Sequence, residues 1–164
     1  MLEIGCNRGH NLVALSHVLP EGSQVAGVEP QVHARTIAEQ ISALDVHDGT
    51  IYEVPFDDRT FELVLTSGVL IHVPLPKLET ALREVHRVSR RYILSIEYFA
   101  EQETAIPYRG HDDLLWKRDF LSHYRALFPD LTLLGSADLT LADGFDDARW
   151  WLLERGPEAD RQPA

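Results

Sequence analysis

The segment Leu2-Glu-Ile-Gly-Cys-Asn-Arg-Gly9 decides the fold of this 164-residue chain. A short apolar strand turns into a helix through Gly5 and Gly9, where missing side chains let a ligand approach the backbone. The start of a helix also presents unpaired N–H groups. The spacing G-x-x-x-G differs from the G-x-G-x-x-G of dinucleotide loops. Asn7 in its middle tolerates left-handed backbone, so we still expect a tight turn.

Strands and helices alternate outward from this segment. Apolar runs predict strands over residues 1–4, 24–28, 49–54, 61–66, 91–98, 131–137 and 149–154. Apolar residues at spacings of three and four predict helices over about 12–19, 34–44, 75–85 and 116–127. This order favours a mostly parallel sheet with helices on both faces. We therefore expect one α/β domain over residues 1–155, an irregular stretch over 100–114 and a disordered polar tail over 156–164.

Composition excludes several classes of partner and site. The chain has 15 Lys and Arg against 26 Asp and Glu, a net charge of −11 that disfavours nucleic acid. The lone cysteine, Cys6, excludes an intrachain disulfide and a multi-cysteine zinc site. The eight histidines show no ligand spacing, so we expect no metal. Without an apolar run of membrane-spanning length or a signal-peptide pattern, we expect a cytoplasmic protein, with homodimerisation left open.

An acidic residue ends the second predicted strand. Glu29 lies 20 positions after Gly9, an offset at which a carboxylate accepts hydrogen bonds from both hydroxyls of a ribose. Glu3 precedes the first glycine by two residues, where it suits a cationic amino-acid group better than a phosphate. Together these residues predict an adenosine-containing ligand across the ends of the first two strands.

Three motifs resemble one enzyme family. The pattern E-x-G-C-x-x-G, then Gly27-Val-Glu-Pro30, then Val54-Pro-Phe-Asp-Asp-Arg-Thr-Phe-Glu-Leu-Val64 is similar to class I S-adenosylmethionine-dependent methyltransferases. Segments 68–73 and 84–98, with Ile106-Pro-Tyr-Arg-Gly-His111 and Trp116-Lys-Arg-Asp-Phe120, resemble the pseudaminic acid biosynthesis-associated methylases. The resemblance covers about residues 2–154.

The resemblance implies a fold and an activity. The fold would be Rossmann-like, with a seven-stranded sheet in the order 3-2-1-4-5-7-6 and an antiparallel last strand. The activity would be methyl transfer from S-adenosylmethionine to an oxygen or nitrogen of a small-molecule acceptor, either sugar-related or a specialised metabolite. Relatives have helical sequence before the first strand, whereas Met1 already lies in that strand. We therefore expect either a start upstream of Met1 or a fold without its N-terminal helical lid.

The resemblance also implies cofactor-binding residues. The glycines would lie under the methionine part of the cofactor, Glu3 near its amino group and Glu29 on its ribose. Thr50 stands where many relatives have an aspartate beside the adenine, which is a departure from the pattern. The full predicted set is Glu3, Gly5, Cys6, Asn7, Gly9, Asn11, Glu29, Pro30, Thr50, Ile51, Thr66, Ser67 and Gly68.

The residues predicted to bind the acceptor and to catalyse the transfer lie in the loops after the fourth and fifth predicted strands. His72 is the predicted general base for the acceptor's proton. Tyr108, Arg109 and His111 are predicted to contact the acceptor, and Arg109 suits a carboxylate or phosphate on it. Glu97 and Tyr98, at the end of the fifth strand, are secondary candidates.

Three alternatives remain open at this point. A nicotinamide-dependent oxidoreductase is disfavoured by the missing G-x-G-x-x-G. A non-catalytic or partner-dependent cofactor-binding subunit is suggested by Thr50 and the missing lid. A third reading keeps the cofactor but cyclises its own amino-acid side chain.

Overall fold

A computed structural model describes residues 1–156 of the protein. Its strands are β1 (Leu2–Ile4), β2 (Ala26–Val28), β3 (Asp45–His47), β4 (Phe61–Ser67), β5 (Ser89–Tyr98), β6 (Thr104–Ala105), β7 (Trp116–Lys117), β8 (Leu131–Leu139) and β9 (Ala148–Arg155). Its helices are α1 (His10–Val18), α2 (Val32–Ser42), α3 (Leu75–Val88) and α4 (Phe120–Leu127). Short 3-10 turns cover Leu70–His72 and Leu141–Asp143.

Seven of these strands form one sheet in the order β3-β2-β1-β4-β5-β9-β8. Strands β1 to β5 pair in parallel, and β9 is antiparallel to both of its neighbours. The short connection from β8 to β9 suits an antiparallel pair, whereas parallel neighbours need a longer crossover. The predicted fold, strand order and antiparallel last strand are therefore confirmed.

The core lies on the central strands. Leu2, Val64 and Ile93 from β1, β4 and β5 are fully buried, and Leu82 and Val85 of α3 belong to the same cluster. A smaller cluster joins α1 and α2 around Leu12, Ala38 and Val46. Two other residues predicted on buried helix faces, Val18 and Ile41, are instead 76% and 46% exposed. Both lie near the C-terminal ends of their helices.

Two predicted elements are wrong. The third strand is β3 and not residues 49–54, because the chain turns back at Thr50 and Glu53, which exchange two backbone hydrogen bonds.

Residues 116–127 do not form one helix. Trp116–Lys117 pairs with Thr104–Ala105 inside the stretch expected to be irregular, and α4 begins after Asp119, whose carboxylate accepts from the Ser122 N–H. The predicted tail at 156–164 lies outside the described residues except for Gly156.

Candidate functional site

A cavity of about 790 Å³ opens at the carboxyl ends of β1, β2 and β4. The loops 5–10, 29–34, 49–52, 68–73 and 108–109 contribute its lining. Consecutive strands lie to one side of β1, and the chain then crosses to β4 on the other side. Ligands of open α/β sheets bind at such a switch point.

The loop after β1 is tied to the neighbouring strand. The backbone N–H groups of Gly5 and Cys6 both donate to the Val28 carbonyl, at 2.8 and 3.1 Å. Gly5 has φ 74°, and a Cβ there would lie 2.5 Å from Cγ2 of Val69. Asn7 adopts a left-handed φ of 49°, as its residue type suggested. The loop therefore depends on a glycine at position 5 for both conformation and space.

Glu29 fixes two loops at once. Its Oε2 accepts from the Asn7 N–H at 3.0 Å, and its Oε1 accepts from the Gln31 N–H at 2.8 Å. The side chain is buried but lines the cavity. Each carboxylate oxygen has more than one lone pair, so this arrangement leaves acceptor capacity for a ligand's hydroxyls.

Glu3 lies one layer deeper. It is 1% exposed, and its Oε1 accepts from Nδ2 of Asn11 at 2.8 Å. Its Oε2 is buried with no hydrogen-bond partner among the described residues. Burial raises the pKa of Glu3 to about 7, against the opposing effect of the Asn11 hydrogen bond. An unsatisfied buried carboxyl beside the glycine loop fits a cationic group such as the amino group of S-adenosylmethionine.

The predicted cofactor residues divide into two groups. Those on the cavity lining are Gly5, Asn7, Glu29, Pro30, Thr50, Ile51 and Gly68. Those outside the lining are Glu3, Cys6, Gly9, Asn11, Thr66 and Ser67.

Residues of the second group have structural contacts of their own. A Cβ on Gly9 would lie 3.0 Å from the Cβ of Ala38, so this glycine lets α1 and α2 pack closely. The Sγ of Cys6 faces Gly27, and burial raises the pKa of this thiol to about 12. The Thr66 hydroxyl donates to Ser95 at 2.9 Å.

His72 also lines the cavity. Its Nδ1 is 2.7 Å from the Leu114 carbonyl oxygen. Because a carbonyl can only accept, this contact places the ring proton on Nδ1. In the neutral ring Nε2 then carries the lone pair, as a general base requires.

Residues 108–111 form a tight turn beside His72. Tyr108 and His111 exchange backbone hydrogen bonds of 2.8 and 3.0 Å, and Arg109 and Gly110 have φ of 51° and 81°. The Tyr108 ring lies 5.4 Å from the His72 ring, and the Arg109 guanidinium lies 5.2 Å from the Tyr108 ring. Tyr108 and Arg109 line the cavity, while His111 lies outside its lining.

Two buried ionisable residues, Glu97 and Arg118, form hydrogen bonds with the backbone around His72. Glu97 is 1% exposed and accepts from the Val69 and Ile71 N–H groups at 3.3 and 3.4 Å. Burial raises the pKa of Glu97 to about 7, against the opposing effect of those N–H groups. Arg118, also 1% exposed, donates to the Val73 carbonyl and pairs with Glu103, each at 2.5 Å. Both hold the backbone around His72 without lining the cavity.

Sequence reasoning did not select several of the lining residues. They are Ile4, Arg8, His10, Gln31, His33, Ala34, Gly49, Tyr52, Val69 and Val73. Most directly adjoin a selected residue, so including the neighbours of each motif would have found them. Arg118 carried no such signal, because its contact with Val73 spans 45 positions. Tyr98, a secondary candidate, lies off the lining with the Lys117 ammonium 5.5 Å from its ring centre.

Within residues 1–156, no three His, Cys, Asp or Glu side chains are grouped so as to hold a metal ion. None of the helices in that part of the chain has the length and apolar character needed to cross a bilayer.

This fold, with a glycine loop and a strand-end acid at the switch point, defines a Rossmann-like class I methyltransferase domain. Residues 2–92 match the sequence model of the family described as "Methyltransferase domain". The chain therefore belongs to the methyltransferase domain family, whose cofactor is S-adenosylmethionine.

Individual relatives agree with this assignment. An uncharacterized methyltransferase of Schizosaccharomyces pombe is 34% identical over 102 residues, covering 55% of this chain and 36% of that protein. The chain thus spans about a third of this relative's length.

Solved structures share the fold at low sequence identity. A SAM-dependent methyltransferase from Methanosarcina mazei superposes with a TM-score of 0.74 at 16% identity, covering 96% of this chain and 92% of that one. The magnesium protoporphyrin IX methyltransferase of Synechocystis PCC 6803, with bound SAH, has a TM-score of 0.72 at 12% identity, covering 94% and 73%.

Proposed function

We propose that this chain transfers the methyl group of S-adenosylmethionine to an oxygen or nitrogen atom of a small-molecule acceptor in the cytoplasm. The observation that carries the proposal is that Glu29, the Gly5 loop and His72 line one cavity. The similarity of segment 106–120 to the pseudaminic acid-associated methylases favours a sugar-related or specialised-metabolite acceptor. The net charge of −11 disfavours nucleic acid as the acceptor.

The cofactor half of the cavity has a donor and acceptor set that suits this ligand. Glu29 would accept from the ribose hydroxyls, and Ile51 would cover the adenine, with Thr50 in place of the usual acid. The Gly5 loop would lie under the methionine part, and the buried Oε2 of Glu3 would face its amino group directly or through water. Cys6, Gly9, Asn11, Thr66 and Ser67 would support this set rather than contact the ligand.

The acceptor half supplies alignment and a base. S-adenosylmethionine brings an electrophilic methyl group on its sulfonium. The Leu114 carbonyl accepts from Nδ1–H of His72, so in the neutral ring Nε2 would take the proton from an acceptor hydroxyl or ammonium. Tyr108 and Arg109 would hold the acceptor beside His72, and alignment of the two reactants supplies much of the rate enhancement.

The direct test is calorimetric titration of the chain with S-adenosylhomocysteine and, separately, with NAD. We expect S-adenosylhomocysteine alone to bind. Binding of NAD would favour the oxidoreductase alternative, and binding of neither would contradict an autonomous cofactor site. Product analysis without any acceptor would detect cyclisation of the cofactor itself.

A matched pair of variants tests the base. His72→Gln should leave affinity for S-adenosylhomocysteine unchanged and lower the turnover of a hydroxyl acceptor by about 10²–10⁴-fold. His111→Gln is the control, because His111 belongs to the neighbouring turn but lies outside the cavity lining. Equal loss in both variants would contradict the role of His72.

A further inference from the structure

Basic residues outnumber acidic ones on the cavity lining, whereas acidic residues outnumber basic ones in the whole chain. Acidic residues outnumber Lys and Arg by 26 to 15 in the whole sequence. Among the residues that line the cavity within the described chain, Glu29 is the one acid, and it already accepts two backbone N–H groups. The lining nevertheless includes two arginines and three histidines, which are Arg8, His10, His33, His72 and Arg109.

Arg109 differs from most other arginines of the chain. Seven arginines have a carboxylate within ion-pair distance, namely Arg35, Arg83, Arg87, Arg90, Arg91, Arg118 and Arg149. No carboxylate within the described range 1–156 pairs with Arg109. Its recorded contact is with the Tyr108 ring, which leaves the N–H groups of the guanidinium for another acceptor.

The backbone gives a second, independent observation. Arg109 occupies a left-handed position at the tip of the 108–111 turn, with φ 51°. For a residue other than glycine this conformation costs about 1–2 kcal/mol. Glycine or asparagine would relieve that cost. The turn therefore carries an arginine at a position where glycine or asparagine would be less strained.

The cofactor does not account for this cation. S-adenosylmethionine carries a sulfonium, an ammonium and one carboxylate, and therefore a net charge of about +1. Arg8 adjoins Gly9 in the cofactor loop and lines the cavity, so it would suit that carboxylate. A second guanidinium beside a cationic methyl donor is repelled by it, unless an anion binds between them.

We propose that the acceptor is an oxyanion, carrying a carboxylate or phosphate group that Arg109 binds at the rim of the cavity. This inference rests on the proposed function and specifies the substrate class of the same site. The planar guanidinium forms two parallel hydrogen bonds with either group, and the Tyr108 ring limits its directions of approach. His72 lies 5.4 Å from that ring, so the anionic group would be held beside the proposed base.

The experiment is nuclear magnetic resonance titration of the ¹⁵N-labelled chain saturated with S-adenosylhomocysteine. The probes are 4-hydroxybenzoate, its neutral isostere 4-hydroxybenzamide, and inorganic pyrophosphate. We expect one or both anions to shift the amide signals of residues 108–111, with the benzamide bound at least about tenfold more weakly than the benzoate. The tighter anion identifies carboxylate or phosphate as the recognised group.

Arg109→Asn separates charge from fold. Asparagine tolerates the left-handed position, so the thermal midpoint should stay the same or rise while anion affinity falls by at least about tenfold. Arg109→Lys should retain part of the affinity, because the charge remains without the planar fork. Arg125→Asn is the control, since this arginine is exposed on α4 and does not line the cavity.

The two proposals fail differently. Anion binding that is unchanged in Arg109→Asn, or no preference for anions over the benzamide, overturns the oxyanion inference while the cofactor site stands. If S-adenosylhomocysteine does not bind, the proposed function fails. The same anion titrations on the unloaded chain then decide whether Arg109 binds an oxyanion.

Discussion

The cofactor region (residues 2–31) and the acceptor region (residues 99–119) both contain tight turns with left-handed residues, but different contacts hold them. In the cofactor region, backbone N–H groups of Gly5 and Cys6 bond to a neighbouring strand, and one carboxylate, that of Glu29, joins the two loops. In the acceptor region, two strands of two residues each are anchored by the buried side chain of Arg118.

This difference shows how each half of the site is specified. The hydrogen bonds that join the two loops of the cofactor region connect residues separated by fewer than 30 positions, so this part of the site appears in the sequence as closely spaced motifs. The acceptor region depends on contacts between His72 and Leu114, 42 positions apart, and between Arg118 and Val73, 45 positions apart. The two regions should therefore respond separately to substitution.

The largest expected effect comes from the anchor of the acceptor region. Arg118→Ala leaves the Val73 carbonyl without its donor and opens a void beside Phe120 and Trp116, whose rings flank the guanidinium. We expect a loss of about 3 kcal/mol in the free energy of unfolding, measured by urea denaturation. Affinity for S-adenosylhomocysteine should stay the same in the folded protein, and its loss would break the separation of the two regions.

The buried carboxyl of Glu97, which accepts hydrogen bonds from the segment beside His72, makes the stability of the protein depend on pH. Its pKa is about 7 in the folded protein against an ordinary value of 4.5, so the folded state holds the proton more tightly than the unfolded state. The free energy of unfolding therefore falls as pH rises from about 4.5 to about 7. A shift of this size corresponds to about 3 kcal/mol at most.

The check compares wild type with Glu97→Gln by urea denaturation at about pH 5 and about pH 8. The variant should gain stability relative to wild type at the higher pH. Glu3 titrates in the same direction, and the pKa of His86 is lowered to about 4, which costs stability at low pH. Both remain in the variant, so the difference between the two proteins isolates Glu97. Glu101→Gln, at an exposed position, should show no such gain.

Glu29 tests the cofactor region in isolation. Glu29→Ala removes a carboxylate that would accept charge-assisted hydrogen bonds from the ribose, so calorimetry should show S-adenosylhomocysteine binding weakened by about 1–3 kcal/mol. The amide signals of residues 108–111 should not move in the variant. Unchanged affinity would contradict the ribose assignment, and moved signals would contradict the independence of the two regions.

The smallest effect is expected at the tip of the acceptor turn. Gly110 has φ 81°, and a Cβ there would meet no atom within 4 Å, so Gly110→Ala introduces backbone strain without a clash. We expect a cost of about 1 kcal/mol in the free energy of unfolding and unchanged affinity for S-adenosylhomocysteine. A larger cost would indicate that the turn is packed more firmly against the rest of the domain than its contacts suggest.

The sequence by itself determined the fold class, the sheet order and the glycine loop with its strand-end acid. The fold class and the glycine loop follow from hydrophobic periodicity, turn residues and short spacings, which act between neighbours along the chain, whereas the sheet order was implied by the resemblance to class I methyltransferases. The prediction from sequence misplaced β3 and the start of α4, because at both places more than one secondary structure suits the local residues about equally well. Residues 45–47 pair with β2 at the edge of the sheet, and Trp116–Lys117 pairs with Thr104–Ala105.

Only the tertiary structure decided which candidate side chains face one cavity. It placed Gly5, Glu29, His72 and Arg109 on the lining and left Cys6, Thr66 and His111 outside it. It also supplied the tautomer of His72 and the support from Glu97 and Arg118, which depend on contacts across the sheet. The physical reason is that side-chain direction and desolvation are set by packing between distant segments, which no local pattern encodes.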